Sequence, residues 1–481
     1  MRVGCFSYPG YPLRKIQRHR YLAVIEGLIY NFSDTRVERA LDEICSGLDS
    51  PGGRVDESIA RFLRDSDGDY LILLRAEQSR RGAVFGDRYA RLPVFYGFSG
   101  ESFLLSRELK PLLRALPSIS FDRQGLAEFL SWQHCFGSRT LFNETKQLRP
   151  AEIVRFGGES QRARIIRIDE LTPEFQISGS APNNRAAIEN LAEIFVAAVE
   201  ARARAVTENN LKLTCDLSGG YDTRAVFGAL CGSGASFRAC TDTLVTGDES
   251  ETATGLASLF ERDVTRFHAV HRVSELTTLQ DAVSETNCSV NAWTAASSLS
   301  DDNTRAGHFT EPSANFMGFG GEWLRKPLVW DTRFKTVSEA LRGDAYTSFL
   351  PLSQSCSLLG LSRSEFMAAL ESRFPAHSLS GEAGARSIFF EYFSKVVNSG
   401  EEITRRFFWT LSPFWANVFF TYNLQSVPTR WTGYRFFANF LSALDPRLLR
   451  APIHGSAVNL SSELSLRARD WRAALRRRAR K

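Results

Sequence analysis

The sequence predicts an α/β protein with two domains in a single chain of 481 residues. Many short β-like segments lie close together before about residue 160, which is typical of a layered α/β/β domain. From about residue 185, strand-like and helix-like segments alternate, and this order predicts a parallel sheet. A helical, strongly aromatic part follows from about residue 340. We therefore expect a layered domain over residues 1–160, a polar linker over 161–184 and a parallel-sheet α/β domain over 185–481.

The β-like segments of the first domain are short apolar runs bounded by turn residues. Charged stretches that contain glycine, such as residues 77–82, separate them as hairpin connections do. The clearest of these runs are residues 21–25, 69–74, 92–97 and 102–106.

The second domain opens with an amphipathic pattern and then alternates. Ile188, Leu191, Phe195 and Val199 recur at helical spacing, which predicts a helix over residues 185–205. A strand beginning at Lys212, a helix to Leu230, a strand at 236–243 and a helix from about 251 to 261 are expected next. In such a sheet, ligands bind at the carboxyl ends of the strands. Aromatic pairs and one triplet beyond residue 340 are expected in the core rather than as a platform for bases. They are Phe389-Phe390, Phe407-Phe408-Trp409, Phe414-Trp415, Phe419-Phe420 and Phe436-Phe437.

The composition favours a globular protein that is soluble in water. Hydrophobic residues make up 43% of the chain and charged residues 23%, and the net charge of +5 is weak support for nucleic-acid binding. No apolar run is long enough to span a membrane, and the first residues lack the apolar core of a signal peptide. The eight cysteines form no CxxC pair. We expect a cytoplasmic protein with reduced thiols and no nucleic-acid or membrane partner; its oligomeric state is left open.

The stretch Ser218-Gly219-Gly220-Tyr221-Asp222-Thr223 joins a predicted strand to a predicted helix. Such a turn is expected to leave several backbone N–H groups unpaired at the positive end of the helix. The glycines allow an anion to approach closely, and Asp222 offers hard oxygen ligands for Mg²⁺. An ordinary strand–helix turn is the alternative. The acid and the hydroxyl at fixed offsets favour a phosphate-binding loop.

A second glycine-rich stretch, Gly318-Phe319-Gly320-Gly321-Glu322, also leads to a carboxylate. Together, the two stretches resemble the synthetase loops of asparagine synthetase and the wider family of asparagine-synthetase-like amide ligases. Those loops read Ser-Gly-Gly-x-Asp-Ser and Gly-x-Gly-Ser/Gly-Asp, so Thr223 stands in a Ser position and Glu322 in an Asp position. Residues 444–452 are similar to the closing segment of the family.

The N-terminal segment resembles the class II glutamine amidotransferase domain of the same family. The similar stretches are residues 27–31, 85–97, 106–110 and 140–150. The resemblance therefore extends over nearly the whole chain.

Several positions of the N-terminal segment depart from that family pattern. The family's glutaminase needs a cysteine exposed as residue one, because the free α-amine acts as the base for the thiol. Here residue 2 is Arg, and Cys5 would become terminal only after removal of four residues. Leu28 stands where a carboxylate is expected, and Glu26 stands where the family has Asn. Val55 stands where an acidic residue is expected. We expect a domain that has lost glutamine hydrolysis and a Cys5 that is a buried structural cysteine.

The resemblance implies a reaction and a set of site residues. ATP would activate a substrate carboxylate as an acyl-adenylate with release of pyrophosphate, and an amine would then attack. ATP and Mg²⁺ are the implied cofactors, and Asp222 and Glu322 the implied metal ligands and catalytic residues. Leu217 and the strand at 240–243 would border the adenine. The implied nucleotide-binding residues are Leu217, Ser218, Gly219, Gly220, Asp222, Thr223, Met317, Gly318, Gly320 and Gly321.

A lysine late in the family's synthetase domain has no counterpart between Lys395 and Lys481. An arginine would have to supply its positive charge in the transition state. Arg430, Arg435 and Arg447 are the candidates, and we assign the catalytic role to Arg435. Arg224 is expected either to touch phosphate or to pair with an acidic neighbour.

Three functions are compatible with the sequence. The first is an AMP-forming amide ligase that uses an amine other than glutamine-derived ammonia, as relatives of the β-lactam synthetase and lasso-peptide cyclase type do. Its substrate would be a small-molecule or peptide carboxylate. A precursor peptide or a partner protein is a possible partner. The second is glutamine- or ammonia-dependent amidation of aspartate or a sugar uronic acid. The third is a non-catalytic nucleotide-binding homologue.

Overall fold

The computed structural model describes most of the chain. The described residues are 8–50, 54–157, 163–176, 183–243, 248–268, 280–283, 286, 299, 306–307, 311–325, 334–342, 349–374, 376–453, 465–468 and 470–471. Cys5 lies outside them. Antiparallel sheets in the first part are followed by a parallel sheet and a helical part. The predicted fold class is therefore confirmed.

The first part contains two antiparallel sheets. Among the described residues, one has the strand order β1-β2-β3-β4-β8-β9 and the other β6-β5-β7. The strands are β1 (Leu13–Gln17), β2 (Tyr21–Ile29), β3 (Gly68–Ala76), β4 (Gly82–Gly86), β5 (Phe95–Ser99), β6 (Ser102–Ser106), β7 (Thr145–Gln147), β8 (Glu152–Phe156) and β9 (Arg164–Arg167).

Two helices, α1 (Asp34–Asp49) and α2 (Val55–Asp65), pack against the larger sheet. The Ser33 hydroxyl caps α1 by accepting a hydrogen bond from the backbone N–H of Arg36. Helices α3 (Leu109–Ala115) and α4 (Arg123–Trp132) lie in the chain between β6 and β7 of the smaller sheet. The layered arrangement predicted for this part is therefore present.

Two details differ from the sequence-based expectations for these strands. The run predicted at residues 92–97 forms a strand only from Phe95, because Pro93 has no N–H to donate to a ladder. Strand β9 lies within the stretch predicted as a linker and pairs with β8 at the edge of the larger sheet. The division of the chain into domains stays a prediction.

The second part is built on a parallel sheet. Among the described residues its strand order is β12-β11-β10-β13-β14, and every neighbouring pair is parallel. The strands are β10 (Lys212–Asp216), β11 (Arg238–Thr243), β12 (Val264–His268), β13 (Ser313–Phe316) and β14 (Trp409–Leu411). The helices α5 (Asn184–Glu208), α6 (Asp222–Ser233) and α7 (Ser250–Ser258) alternate with them. The amphipathic helix predicted at 185–205 is α5, which the Asn183 side chain caps.

The remaining helices form the C-terminal part. They are α8 (Glu322–Arg325), α9 (Val337–Arg342), α10 (Leu352–Leu358), α11 (Arg363–Arg373), α12 (Gly381–Tyr392), α13 (Asn398–Thr404), α14 (Asn417–Ser426) and α15 (Tyr434–Leu444). A π-helical turn (Phe393–Val397) joins α12 to α13. The aromatic pairs predicted as core, from Phe389 to Phe437, are buried. In the described part of the chain, no helix is both long and apolar enough to cross a membrane.

Candidate functional site

The two glycine-rich loops follow adjacent strands of the parallel sheet. Strands β10 and β13 pair directly, with Cys215 opposite Phe316 near their carboxyl ends. From β10 the sheet continues through β11 and β12 on one side, whereas β14 lies beyond β13 on the other. The gap between β10 and β13 is thus a topological switch point, where open α/β sheets bind their ligands. Both predicted loops lie at this point.

Glycines allow the two loops to touch. A Cβ atom on Gly318 would come within 2.7 Å of the Thr223 backbone nitrogen, and one on Gly321 within 2.4 Å of Asp222 Oδ1. Contacts that short do not occur with a side chain present, so residues 318 and 321 have to be glycine for this approach. Gly320 has a φ of 98° in the left-handed region, which glycine adopts without strain. The structure therefore brings the implied nucleotide-binding residues of the two loops together.

The backbone donors of the first loop differ from the sequence-based expectation. The N–H of Ser218 donates to Thr223 Oγ1 at 3.0 Å, and the N–H of Gly220 donates to Ser218 Oγ at 3.2 Å. The N–H of Gly219 donates to Glu249 Oε2 at 2.7 Å. The expectation of several unpaired N–H groups is therefore wrong for these three. Hydroxyl groups of the loop itself satisfy two of them, as polar residues at a helix start commonly do. The carboxylate of Glu249, 30 positions further along the chain, satisfies the third.

A pair of polar side chains that the sequence analysis missed lies under the loops. Asn315 on β13 donates from Nδ2 to Asp216 Oδ1 on β10 at 2.9 Å. Thr214 donates to Asn315 Oδ1 at 2.8 Å. These bonds hold the carboxyl ends of the two strands in register. The pairing of β10 with β13, which a single strand's sequence does not reveal, is what places Asn315 here.

The two carboxylates implied as metal ligands begin helices on either side of the switch point. Asp222 is the first residue of α6 and Glu322 the first residue of α8. The Glu322 carboxylate accepts a hydrogen bond from the Gly320 N–H at 3.2 Å. Burial and, to a lesser extent, the negative charge of Glu322 raise the pKa of the Tyr392 hydroxyl. Glu322 therefore acts electrostatically on the end of α12 as well as on its own loop.

The donor set fits Mg²⁺ in chemistry. Carboxylate oxygens are hard ligands, and Mg²⁺ is commonly held by one or two carboxylates together with phosphate oxygens and water. Among the described residues, no group of three or more His, Cys, Asp or Glu side chains is arranged to hold a metal. Asp222 and Glu322 would thus need oxygen atoms from the nucleotide to complete a metal site.

The start of α15 lies next to the first loop and to α8, the helix that follows the second loop. The Tyr434 ring is 5.5 Å from the Tyr221 ring of the first loop, and the Gly433 N–H donates to the Leu324 carbonyl of α8 at 3.0 Å. Arg435 follows Tyr434 and is exposed. The Asp470 carboxylate accepts hydrogen bonds from the backbone N–H groups of Tyr434 and Arg435, at 2.9 and 3.3 Å. Arg435 is thus on a segment anchored beside the loops.

The other two candidate arginines have different surroundings. Arg447 forms a two-point ion pair with Asp445 and lies 4.1 Å from the centre of the Phe260 ring. The Arg430 guanidinium lies 6.0 Å from the ring of the neighbouring Trp431. Of the three, Arg447 is therefore already committed to a carboxylate.

Arg224 has neither of the roles expected from the sequence. Its guanidinium donates to the carbonyl oxygens of Leu448 (2.9 Å), Ala451 (2.8 Å) and Pro452 (2.8 Å), and to Gly220 O (3.2 Å). Its side chain is fully buried, and burial lowers its pKa to about 10. The expectation of a phosphate or acidic partner is wrong, because residues 448–452 fold back over α6 and present carbonyl oxygens. Arg224 instead fixes that segment to the first loop.

Leu217 and Met317 are placed by main-chain bonds. The Leu217 N–H donates to Cys240 O at 2.8 Å, and its side chain is 1% exposed in the core. The Met317 N–H donates to Leu411 O at 2.8 Å. Both residues thus lie at carboxyl ends of sheet strands, and their contact with a nucleotide stays a prediction.

The N-terminal residues that depart from the family pattern have structural contacts. Between two of them lies Gly27, which matches the pattern; it has a φ of 92°, and a Cβ atom there would lie 2.0 Å from Asp69 O. Glu26 forms an ion pair with Arg107 at 3.0 Å and accepts a hydrogen bond from the Tyr11 hydroxyl. Leu28 and Val55 are buried in hydrophobic cores. These positions therefore contribute to packing and to ion pairing.

A buried ion cluster joins the antiparallel part to the helical part. Arg91 contacts Asp69 at 3.7 Å and also Glu401 of α13. Arg405 contacts Glu401 at 3.0 Å and Asp69 at 3.6 Å. Each of these four side chains is 1 or 2% exposed. Burial by itself would raise the pKa of Asp69, but the nearby arginines outweigh burial and lower it.

The same cluster continues toward the strand that carries Gly27. Arg107 bridges Glu26 of β2 and Glu402 of α13. Strand β14 begins a few residues after Glu402 and contacts the segment that carries the second loop. The Leu411 carbonyl accepts a hydrogen bond from the Met317 N–H, and the hydroxyl of Ser412 donates to Phe319 O. The two parts of the chain are thus connected by buried and half-buried charged groups.

Comparisons with known proteins identify the first of these parts. The sequence model of the glutamine amidotransferase domain family matches residues 10–164, less than half of the chain. The N-terminal part is therefore an amidotransferase-like domain. No curated protein sequence matches the chain.

Two solved structures are among those similar to it. One is described as the allosteric regulatory enzyme of purine biosynthesis, with 10% identity and a TM-score of 0.21 over 55% of this chain and 63% of that one. The other is the glutamine phosphoribosylpyrophosphate amidotransferase of B. subtilis with ADP and GMP, with 10% identity and a TM-score of 0.20 over 53% of this chain and 63% of that one. The match therefore spans less than two thirds of either protein.

Proposed function

We propose that the chain is an ATP-dependent, AMP- and pyrophosphate-forming amide ligase of the asparagine-synthetase-like family. The observation that carries the proposal is the contact between the two glycine loops at the topological switch point of a parallel sheet. Each loop ends in a carboxylate that begins a helix, at Asp222 and at Glu322. This arrangement suits a polyphosphate held between the start of α6 and the second loop.

In the proposed reaction, an oxygen of the substrate carboxylate attacks the α-phosphorus of ATP. The bond from that phosphorus to the bridging oxygen breaks, and pyrophosphate leaves with the bonding electrons. The hydroxyl groups of Ser218 and Thr223, which lie 2.9 Å apart, can rotate to donate to the departing group. Mg²⁺ bound by Asp222 and Glu322 would supply positive charge that stabilises the developing negative charge.

The second half-reaction joins the activated acyl group to an amine. The amine nitrogen attacks the acyl carbon, AMP leaves with the electrons of the carbon–oxygen bond, and the nitrogen loses a proton. Arg435, exposed at the start of α15 beside the first loop, is the cation we assign to the transition state. A guanidinium can contact two phosphate oxygens at once. The expected substrate is a small-molecule or peptide carboxylate.

The amine is proposed to come from a source other than glutamine. In the amidotransferase-like domain, Glu26 is committed to Arg107 and Tyr11, and Leu28 and Val55 are core residues. The charged cluster of Asp69, Arg91, Glu401 and Arg405 is packed between this domain and the helical part. These features support the proposal that the amidotransferase-like domain contributes structural contacts rather than glutamine hydrolysis.

Glutamine-dependent amidation is the second candidate, because the glutamine amidotransferase domain model matches residues 10–164. The intact chain should be incubated with MgATP and aspartate, a uronic acid or a peptide acid, and with glutamine, ammonium or a primary amine. We expect AMP and pyrophosphate rather than ADP and phosphate, and no glutamate from glutamine. Glutamate release that a Cys5→Ala variant abolishes would support the second candidate and contradict our assignment of the amine.

A further inference from the structure

The carboxylate of Glu249 contacts the first loop from outside it. Its Oε2 accepts a hydrogen bond of 2.7 Å from the backbone N–H of Gly219. Glu249 directly precedes α7, which follows β11, and it is 30 positions along the chain from Gly219. Its neighbour Asp248 is turned to a different donor, the N–H of Ser250, at 2.8 Å.

Gly219 differs in this respect from the residues beside it. The N–H groups of Ser218 and Gly220 donate to hydroxyl oxygens of the loop itself. Those acceptors are neutral hydroxyl groups, and each of them can rotate so that it donates a hydrogen bond to a phosphate oxygen. The partner of Gly219 is a carboxylate, which when ionised can only accept. Of these three loop donors, only that of Gly219 is paired with an anionic type of group.

A bound phosphate needs the same donor. Hydrogen bonds to an ionised acceptor are roughly twice as strong as neutral ones, so the contact of Glu249 with Gly219 competes well with other acceptors. A phosphate oxygen and a carboxylate oxygen that shared this N–H would be about 4 Å apart or closer, where like charges repel strongly at the low effective dielectric of a protein. Glu249 and a phosphate group therefore exclude each other at Gly219.

We propose that Glu249 is an internal anion that nucleotide phosphate and pyrophosphate have to displace from the Gly219 N–H, and that it thereby sets the affinity of the loop for both. The inference rests on the proposed nucleotide-binding function of the loop. It adds a residue outside both glycine loops to the site. It also gives a reason for pyrophosphate to leave after adenylation, since the carboxylate returns to the donor that the product occupied.

The test is equilibrium binding to the full-length chain, measured by calorimetry with inorganic pyrophosphate and with ATP, each with Mg²⁺. In Glu249→Gln, an amide oxygen can still accept from Gly219, but the negative charge is gone. We expect the dissociation constant for pyrophosphate to fall about tenfold or more. Asp248→Asn removes the same charge from an exposed neighbour, where water weakens its effect, and should leave the dissociation constant within about twofold of the original. Unchanged thermal unfolding would show that both variants keep the fold.

Two results would overturn the inference, and they are distinguishable. If the original chain binds pyrophosphate or ATP but Glu249→Gln binds no more tightly, Glu249 is a brace for the loop and only this inference fails. If neither the original chain nor the variant binds either compound, the loop is not a nucleotide site, and the proposed function fails together with the inference. If Glu249→Gln binds pyrophosphate more tightly than the original chain does, and Asp248→Asn does not, the result supports both the inference and the proposed function.

Discussion

Asp222 and Arg224 are separated by one residue, and the fold gives them opposite surroundings. Asp222 begins α6 at the edge of the second loop, whereas Arg224 points into the protein and binds main-chain carbonyl groups of residues 448–452. The loop motif was enough to predict the position of Asp222. The partners of Arg224 could not be predicted, because carbonyl acceptors more than 200 residues away leave no side-chain signal in the sequence.

Replacing Arg224 tests whether its hydrogen bonds stabilise the packing of residues 448–452 against the first loop. We expect Arg224→Ala to lower the free energy of unfolding by about 3–5 kcal/mol, because several buried carbonyl groups would lose their donor. Arg238→Ala, at an exposed arginine, should change it by less than about 0.5 kcal/mol. Urea unfolding of the two variants measures the difference. Equal, small effects would show that the Arg224 hydrogen bonds add nothing to stability.

His134 predicts a specific dependence of stability on pH. It borders a cavity of about 50 Å³ together with Cys135 and Lys395, and it is 5% exposed. Burial lowers its pKa from 6.5 to about 4, and Nδ1 lies 2.9 Å from Trp132 O. Between those two values the unfolded chain binds more protons than the folded one. The contribution of His134 is therefore complete above pH 6.5 and is lost as the pH falls toward 4.

The measurement is the free energy of unfolding between pH 7 and pH 4 for the original chain and for His134→Asn. We expect the original chain to lose up to about 3 kcal/mol more than the variant over this range. Asp87 and Glu128, whose pKa values burial raises to about 7, give a slope of the opposite sign in both proteins. The difference between the two proteins therefore isolates His134, and parallel curves would contradict the assignment.

At the level of elements, the alternation of strands and helices after residue 185 predicted the parallel sheet, and it is present. The contact between the loops could not be read from that alternation. It depends on β13 lying beside β10, although Ser313 and Lys212 are about 100 positions apart in the sequence. Among the described strands, β13 is the first to lie on the other side of β10 from β11, and this crossing creates the switch point.

A methyl group at Gly321 should separate the loops. Its Cβ atom would lie 2.4 Å from Asp222 Oδ1 and 2.6 Å from Cγ, so the Asp222 carboxylate has to move. We expect Gly321→Ala to slow pyrophosphate release about tenfold or more, since small displacements of positioning groups are costly for catalysis. Gly255→Ala in α7, where a Cβ would meet no atom within 4 Å, is the matched control and should keep the original rate. Equal rates in the two variants would argue against a catalytic contact between the loops.

The buried ion cluster is expected to stabilise the packing of the amidotransferase-like domain against the helical part. Arg91→Met would leave Asp69 and Glu401 with one buried partner fewer, and we expect a loss of about 3–5 kcal/mol. Arg185→Ala breaks an exposed pair with Glu189, in which the Arg185 side chain is 89% exposed, and should cost less than about 0.5 kcal/mol. Chemical unfolding compares the two. If Arg91→Met were as mild as Arg185→Ala, the cluster would contribute little to stability.

For the whole molecule, the sequence predicted an amidotransferase-like domain ahead of a parallel sheet, and both are present. How the two are joined was not predictable, because Asp69, Arg91, Glu401 and Arg405 each look like ordinary surface charges in the sequence. Burial of all four in one cluster follows from the packing of α13 against the antiparallel part. The domain is thus tied to the helices next to the second loop, whichever amine completes the reaction.

The central claim is that the two loops bind ATP and Mg²⁺ to activate a carboxylate. Exchange of labelled pyrophosphate into ATP, with the intact chain, Mg²⁺ and a pool of candidate carboxylic acids, measures that step directly. We predict exchange by the original chain and by Asp263→Asn, which changes an exposed carboxylate, and a loss of about 100-fold or more in Asp222→Asn. No exchange by the original chain with any acid, or full exchange by Asp222→Asn, would contradict the account.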